Sequence, residues 1–154
     1  MNLERKQAMA GAFIDVFEKF AFMFAETVER EEILCLAVQR GLAAEMAFRG
    51  PLRGRLELAA PAQACPEIAA NLLGMDPGDE AAESRGLDAL KEMLNVACGN
   101  ILTAIAGPEP VFDLSVPETR EIDSAQWAEM AACEDTIPFL VDDTPMLLRM
   151  ALAG

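Results

Sequence analysis

The segment 43–61, "AAEMAFRGPLRGRLELAAP", constrains the fold most, because side-chain polarity alternates on both sides of a short loop. Apolar residues at 44, 46 and 48 alternate with Glu45 and Arg49, and apolar residues at 56 and 58 alternate with Arg55 and Glu57. A period of two is typical of a β-strand with one face buried and one in water. The intervening "GPLRG" has hairpin length and a glycine at each end. This pattern predicts a β-hairpin.

The other segments supply helices and further strands. Residues 3–28 predict a helix whose phenylalanines at 13, 17, 20 and 24 form a core face or, alternatively, a partner surface. Residues 29–42 fit either a strand or a helical turn. The remaining predictions are helices over 62–73, 80–106 and 123–132 (with Asp123 or Ser124 as N-cap), a strand over 111–116, and a second hairpin around Asp142 and Asp143. The order predicts one α+β domain over 1–154, a largely antiparallel sheet with long helices packed on it.

The composition excludes several kinds of chemistry. The 154 residues include no histidine, which removes a Ser-His-Asp triad, a Cys-His pair and an HExxH zinc site. The cysteines at 35, 65, 98 and 133 form no CxxC pair, so neither a zinc ribbon nor a thioredoxin motif is present. Asp142 and Asp143 could suggest a cation site but are more typical of a turn, and we expect no metal site in this chain. A net charge of −14 repels phosphate backbones and anionic lipids, which disfavours nucleic acid and membrane surfaces as partners.

The sequence also suggests a compartment. No secretory signal opens the chain, and no run of 18 uncharged apolar residues would span a membrane. We therefore expect a cytoplasmic protein with reduced and mostly buried cysteines.

The predicted helix around "DALKEMLNVACGN" has two opposed faces. Residues in a helix are about 100° apart, so Asp88, Glu92, Asn95 and Gly99 share one side. Gly99 costs about 1 kcal/mol relative to alanine there, and its missing side chain lets another backbone approach closely. This side is either a solvated face or a site for another molecule. The opposite, apolar stripe consists of Leu90, Leu94, Ala97, Ile101 and Ala104.

The spacing Asp88-x3-Glu92-x2-Asn95-x21-Pro117 resembles the signature of the CheC/CheX/FliY family of chemotaxis phosphatases. The chain is most similar to the CheX branch, over nearly its whole length. The resemblance implies hydrolysis of the aspartyl phosphate on a CheY-like receiver domain of a response regulator, in two-component or chemotaxis signalling. It favours the functional reading of the helix face, and it also implies a homodimer.

The same resemblance implies roles for single residues. Asn95 would place the attacking water, because a carboxamide both donates and accepts hydrogen bonds. Glu92 would pair with a lysine of the receiver. Asp88 would either hold the helix face or contact the partner, and Pro117 would be architectural. Gly99 is expected at the partner contact for the separate reason given above, its missing side chain. The Mg²⁺ that balances the phosphoryl charge would belong to the receiver, and this chain would bind no cofactor.

Two further expectations concern the number of sites and the kind of activity. Some family members carry the motif twice, but the comparable frame in the first helix, Ile14-x3-Glu18-x2-Ala21, lacks the amide, so we expect one active site. A noncatalytic module that binds and titrates a receiver or motor component is the alternative. Receivers are commonly acidic, so the charge of this chain should slow their encounter.

Overall fold

The computed structural model describes residues 2–74, 76, 80 and 85–153. Its centre is a seven-stranded sheet in which every pair of neighbouring strands is antiparallel. The strand order is β1-β6-β7-β3-β2, and both β4 and β5 pair with the outer edge of β2. The strands are β1 Ala25–Thr27, β2 Arg40–Arg49, β3 Arg53–Pro61, β4 Asp113–Leu114, β5 Glu118–Asp123, β6 Thr136–Val141 and β7 Thr144–Leu152.

Helices cover both faces of this sheet, which confirms the predicted α+β class. On one face α1, α3 and α4 pack together over the main hydrophobic core. On the other face α2 and α5 cover a smaller core that contains the buried Trp127. The helices are α1 Leu3–Ala21, α2 Arg30–Leu34, α3 Cys65–Leu73, α4 Gly86–Ala106 and α5 Ser124–Ala132, with a 3-10 turn at Ala62–Ala64 before α3. Within the described ranges, no helix combines the length and apolarity needed to cross a membrane.

The predicted hairpin is present as β2 and β3, but its second face is not uniformly wet. Ala43 and Ala59 lie in the smaller core beneath α2 and α5. Further along the same face, Glu45 and Arg55 form an ion pair in solvent. The covering helices therefore bury one end of this face and leave the other end charged.

The first helix is shorter than predicted. It ends at Ala21 because Phe22 adopts a left-handed conformation, φ 54°, and the chain then turns into β1. Phe13 and Phe17 are buried in the core, as expected. Phe20 and Phe24 are 46% and 72% exposed, so the core-face interpretation is wrong for the second half of the stripe.

Two strand predictions also need correction. The strand expected over 111–116 is only Asp113–Leu114. At the next residue, the Ser115 N–H donates to the Ala47 carbonyl at 2.9 Å, but the Ala47 N–H donates at 2.8 Å to the Ser115 hydroxyl and not to a carbonyl of the strand. The following strand β5 was not predicted. In its sequence "ETREID", Ile122 is the one residue buried in a core, so the segment lacks the apolar alternation from which a strand is predicted. The ambiguous 29–42 segment contains α2, then a loop, then the start of β2.

The remaining elements follow the predictions. α5 begins with a capping box in which Asp123 and Gln126 exchange side-chain and backbone hydrogen bonds. Asp142 and Asp143 form the turn of the second hairpin with φ values of 46° and 67°. The predicted helix over 80–106 is helical from Gly86, while residues 81–84 of that prediction lie outside the described residues.

Buried thiols make the stability of this chain sensitive to alkali. Burial raises the pKa of Cys65 to about 11 and that of Cys98 to about 12. Unfolded thiols lose their protons at lower pH, so stability is complete below about pH 8.5 and falls as pH rises toward the folded pKa values. Each thiol contributes a loss of about 1.4 kcal/mol per pH unit. Urea unfolding at pH 8 and pH 10 should show this decline, and no tyrosine or histidine interferes.

The matched variant for this test is Cys98→Ala. Its pH slope should be about half that of the parent, whatever its absolute stability. A free energy of unfolding that stays constant from pH 8 to pH 10 in the parent chain would contradict the assignment.

Candidate functional site

Helix α4 presents a polar ridge because its opposite side is fixed in the core. Leu90, Leu94, Ala97 and Ile101 are all 0% exposed. Ala104 was expected to continue this stripe, but it is exposed and lies beside α1. The outward side carries the residues named from the sequence, Asp88, Glu92, Asn95 and Gly99, and all four are exposed.

The four residues form a line along the helix. At 1.5 Å per residue the ridge from Asp88 to Gly99 is about 16 Å long, and Glu92 and Asn95 are neighbours one turn apart. A groove of about 440 Å³ between α3 and α4 adjoins Asp88 and Glu92. A second groove, of about 320 Å³, lies between α1 and the C-terminal half of α4. The ridge therefore stands between two depressions on an otherwise helical surface.

The polar side chains of the ridge are not used by the fold. Asp88, Glu92 and Asn95 form no hydrogen bond or ion pair with any residue of the described ranges. In contrast, Asn100 on the same helix donates its Nδ2 to the Val96 carbonyl at 2.9 Å. The Asn95 amide is thus free to donate and accept toward a molecule placed on the ridge.

Gly99 has no structural reason to be glycine. A Cβ atom added there would meet no atom within 4 Å, and the residue lies in the interior of α4. Gly11 in the interior of α1 is in the same situation. These two glycines therefore form a matched pair, one on the ridge and one on α1, in the wall of the second groove.

Pro117, the fourth residue of the motif, lies elsewhere. It is half-buried between β4 and β5, at the edge of the sheet, and is not part of the exposed helix face. Proline has no N–H to donate to a strand ladder, which suits the break between the two short strands. An architectural role for Pro117 stays a prediction.

The α1 helix does not repeat the site. In the comparable frame Glu18 is exposed and Ile14 is half-buried, but Ala21 is 0% exposed and belongs to the main core. The position that would carry the amide thus points inward. Of the two frames compared, the one in α4 combines an exposed carboxylate with an exposed amide, and the one in α1 does not.

Sequence reasoning missed two features near or opposite the ridge. Leu72, Leu73 and Arg85 line the α3–α4 groove, and nothing in the sequence distinguished these leucines from core residues. On the far face of the sheet, the buried Glu57 is paired with Arg120, whose Nη1 lies 2.6 Å from Oε2, and with Arg149, whose Nη2 lies 3.4 Å from Oε1. The register of β3 and β7, which places Arg149 opposite Glu57, was the missing information.

Metal ligands do not gather in the described ranges: no three Cys, Asp or Glu side chains there are arranged to hold an ion. The absence of a cofactor in this chain stays a prediction. Asp142 and Asp143 serve the turn between β6 and β7, where the Asp142 carboxylate accepts from the backbone N–H of Phe24 at 3.0 Å.

A family model described as chemotaxis phosphatase CheX matches residues 42–140, a span that includes the ridge and Pro117. The chain belongs to the CheX family. This confirms the resemblance drawn from the motif. No curated protein sequence matches this CheX-family chain.

Solved structures share the fold at low sequence identity. A chemotaxis protein CheX from Desulfovibrio desulfuricans is 16% identical, with a TM-score of 0.67 over 98% of this chain and 100% of that one. A putative chemotaxis protein from Desulfovibrio vulgaris Hildenborough is 15% identical, with a TM-score of 0.71 over 99% and 98%. The CheX of a CheX–CheY–BeF3–Mg²⁺ complex from Borrelia burgdorferi is 15% identical, with a TM-score of 0.65 over 99% and 100%.

Gly99 and Gly11, where an added Cβ would meet no atom within 4 Å, lead to a prediction about the stability of this CheX-family chain. Gly99→Ala and Gly11→Ala should each raise the free energy of unfolding by about 0.5–1 kcal/mol, because alanine restricts the unfolded chain and clashes with nothing. Chemical denaturation of both variants checks this. Destabilisation by Gly99→Ala alone would reveal a structural need for glycine that the geometry does not show.

Proposed function

We propose that this chain hydrolyses the aspartyl phosphate of a CheY-like receiver domain, in chemotaxis or another two-component system. The observation that carries the proposal is the pair Glu92 and Asn95, exposed one turn apart and not engaged by the described part of the fold. Membership of a family described as a chemotaxis phosphatase supports it. So does the complex of a fold relative with CheY.

The proposed role of Asn95 is to position water. Hydrolysis of an acyl phosphate requires a water oxygen in line with the P–O bond to the aspartate, and the bond breaks to give inorganic phosphate and the free carboxylate. A carboxamide holds such a water by accepting from it and donating to a phosphoryl oxygen. It needs no basic group, which fits a chain without histidine.

The proposed role of Glu92 is to dock and orient the receiver. Its exposed carboxylate would pair with the lysine of the receiver's phosphorylation site, a charge-assisted contact that also fixes where Asn95 enters. The receiver supplies the phosphorylated aspartate and its Mg²⁺, so the substrate brings most of the active site. Asp88 and Gly99 extend the contact along the ridge, where Gly99 lets the partner backbone come close.

The setting of the activity is part of the proposal. We place the chain in the cytoplasm, where receivers act, and in a homodimer. The outer side of β5 supports self-association, because an edge strand presents unpaired backbone donors and acceptors.

Replacing Glu92 and Asn95 together should abolish turnover and preserve the fold, because both side chains are exposed. Asn95→Ala should slow receiver dephosphorylation roughly 100-fold with little change in binding, because only the water is misplaced. Glu92→Gln should weaken receiver binding roughly tenfold, as expected for the loss of a charged hydrogen bond. Phosphate release from phosphorylated receivers of the same genome measures both effects.

Matched control variants are available on α4 and on α1. Asn100→Ala removes an exposed amide of α4 that bonds to its own helix, and Glu18→Gln removes an exposed carboxylate of α1. Both should keep the parent activity. Full activity in a folded Glu92→Gln/Asn95→Ala double variant would refute the proposal, whereas binding without faster decay of any receiver would favour the noncatalytic docking module.

The substitution Gly99→Ala should change stability and activity in opposite directions. Gly99→Ala, although more stable, should lower kcat/KM for the receiver roughly tenfold, because its methyl group holds the partner backbone away from Asn95. Gly11→Ala should be equally stabilised and fully active. Equal activity of the two variants would mean that the partner does not approach the helix at Gly99.

A further inference from the structure

We propose that the α3–α4 groove beside Glu92 receives an apolar side chain of the receiver and thereby determines which receiver is the substrate. The inference rests on the proposed function, because it concerns the same partner. It adds a specificity surface, centred on Leu73, to a ridge that otherwise consists of polar side chains.

The groove is continuous with the proposed contact face. Asp88 and Glu92 form part of its wall, and Leu72, Leu73 and Ala89 supply its apolar lining. Leu73 is 45% exposed, while Leu72 is half-buried and Ala89 is 6% exposed. A receiver whose lysine lies against the Glu92 carboxylate must therefore cover the mouth of this groove.

The chemistry of the lining selects an apolar occupant. Aliphatic side chains gain by excluding water and offer nothing to a polar group. Among the described residues that line the groove, Arg85 is the one cation, and it lies at the rim. The matching receiver surface is an aliphatic or aromatic side chain beside the phosphorylation-site lysine, with a carboxylate near enough to reach Arg85.

The charge of the chain makes such a contact necessary. At a net charge of −14, long-range forces oppose the approach of an acidic receiver and are screened within about 8–10 Å at ordinary salt. Apolar burial acts only on contact and does not depend on net charge. The exposed Phe20 lines the α1–α4 groove and the exposed Phe24 lies beside the turn at Asp142 and Asp143, so neither lines the groove that contains Glu92.

The test compares two leucines of matched position. Leu73 is the last residue of α3, and Leu34 is the last residue of α2, on the opposite face of the sheet, where it is 49% exposed. Leu73→Gln should raise KM for the phosphorylated receiver about fivefold with kcat unchanged within about twofold. A fivefold change is about 1 kcal/mol at 1.4 kcal/mol per factor of ten. Leu34→Gln should change neither constant.

A binding measurement runs beside the kinetics. Each variant is titrated with receivers loaded with beryllium fluoride and Mg²⁺, and Leu73→Gln should raise Kd by the same factor as KM. Across a panel of receivers from the same genome, the penalty should be largest for the best substrate, so that the kcat/KM values of the panel converge. If Leu73→Gln fails to fold by circular dichroism, Leu73→Ala should show the same direction.

The outcomes separate this inference from the proposed function. If the parent hydrolyses a receiver and Leu73→Gln matches Leu34→Gln in KM and Kd, the groove is not a docking site and the phosphatase proposal stands. If the parent binds a receiver loaded with beryllium fluoride but hydrolyses no phosphorylated receiver, the phosphatase proposal fails. The Kd values of the two leucine variants then still show whether the groove is a docking site. A loss of kcat without a change in KM, or no binding of any receiver, overturns the inference.

Discussion

The burial of one side of α4 is the constraint on which the rest of the surface depends. Leu90, Leu94 and Ile101 are fully enclosed between this helix and the sheet, so the helix cannot rotate without losing its core contacts. Because α1 and α3 pack along its two flanks, a mainly polar strip remains in solvent, with Leu87 and Ala104 as its exposed apolar residues. The direction of Glu92 and Asn95 is thus determined by apolar residues that are fully buried.

This arrangement suits the proposed function, in which the chain completes another protein's active site. Side chains on the interior of a long, well-packed helix are held more precisely than side chains on a loop, and precision is the main requirement when the task is to place one water. The ridge projects between two grooves and contains a glycine, so its shape fits the proposed entry into a partner better than the enclosure of a small molecule. A site of this kind has no deep pocket of its own.

The sequence predicts those elements whose local pattern and burial agree, and fails where they diverge. The β2–β3 hairpin and α4 show their periods clearly, and the outward angles of Asp88 to Gly99 follow from helix geometry alone. The end of α1 was missed because the phenylalanine spacing continues past Phe22, where the backbone turns left-handed. The β5 strand was missed because an edge strand pairs through its backbone and needs few apolar residues. The groove at Leu73 depends on how α3 and α4 pack, which no local pattern records.

The distribution of charge links these observations. Half of the twelve cationic residues lie on strands β2, β3, β5 and β7, and the sheet uses several of them internally: Arg120 and Arg149 pair with the buried Glu57, and Arg40 pairs with Glu121. A buried carboxylate requires such partners, since an unpaired charge in the sheet would be strongly destabilising. Cations committed to the sheet cannot attract a partner to the helical face on the other side. Near the ridge, Arg85 and Lys91 are the nearest cations in sequence, beside Asp88 and Glu92. The proposed recognition there therefore combines contacts made at short range, namely one ion pair, one amide and the apolar groove beside them.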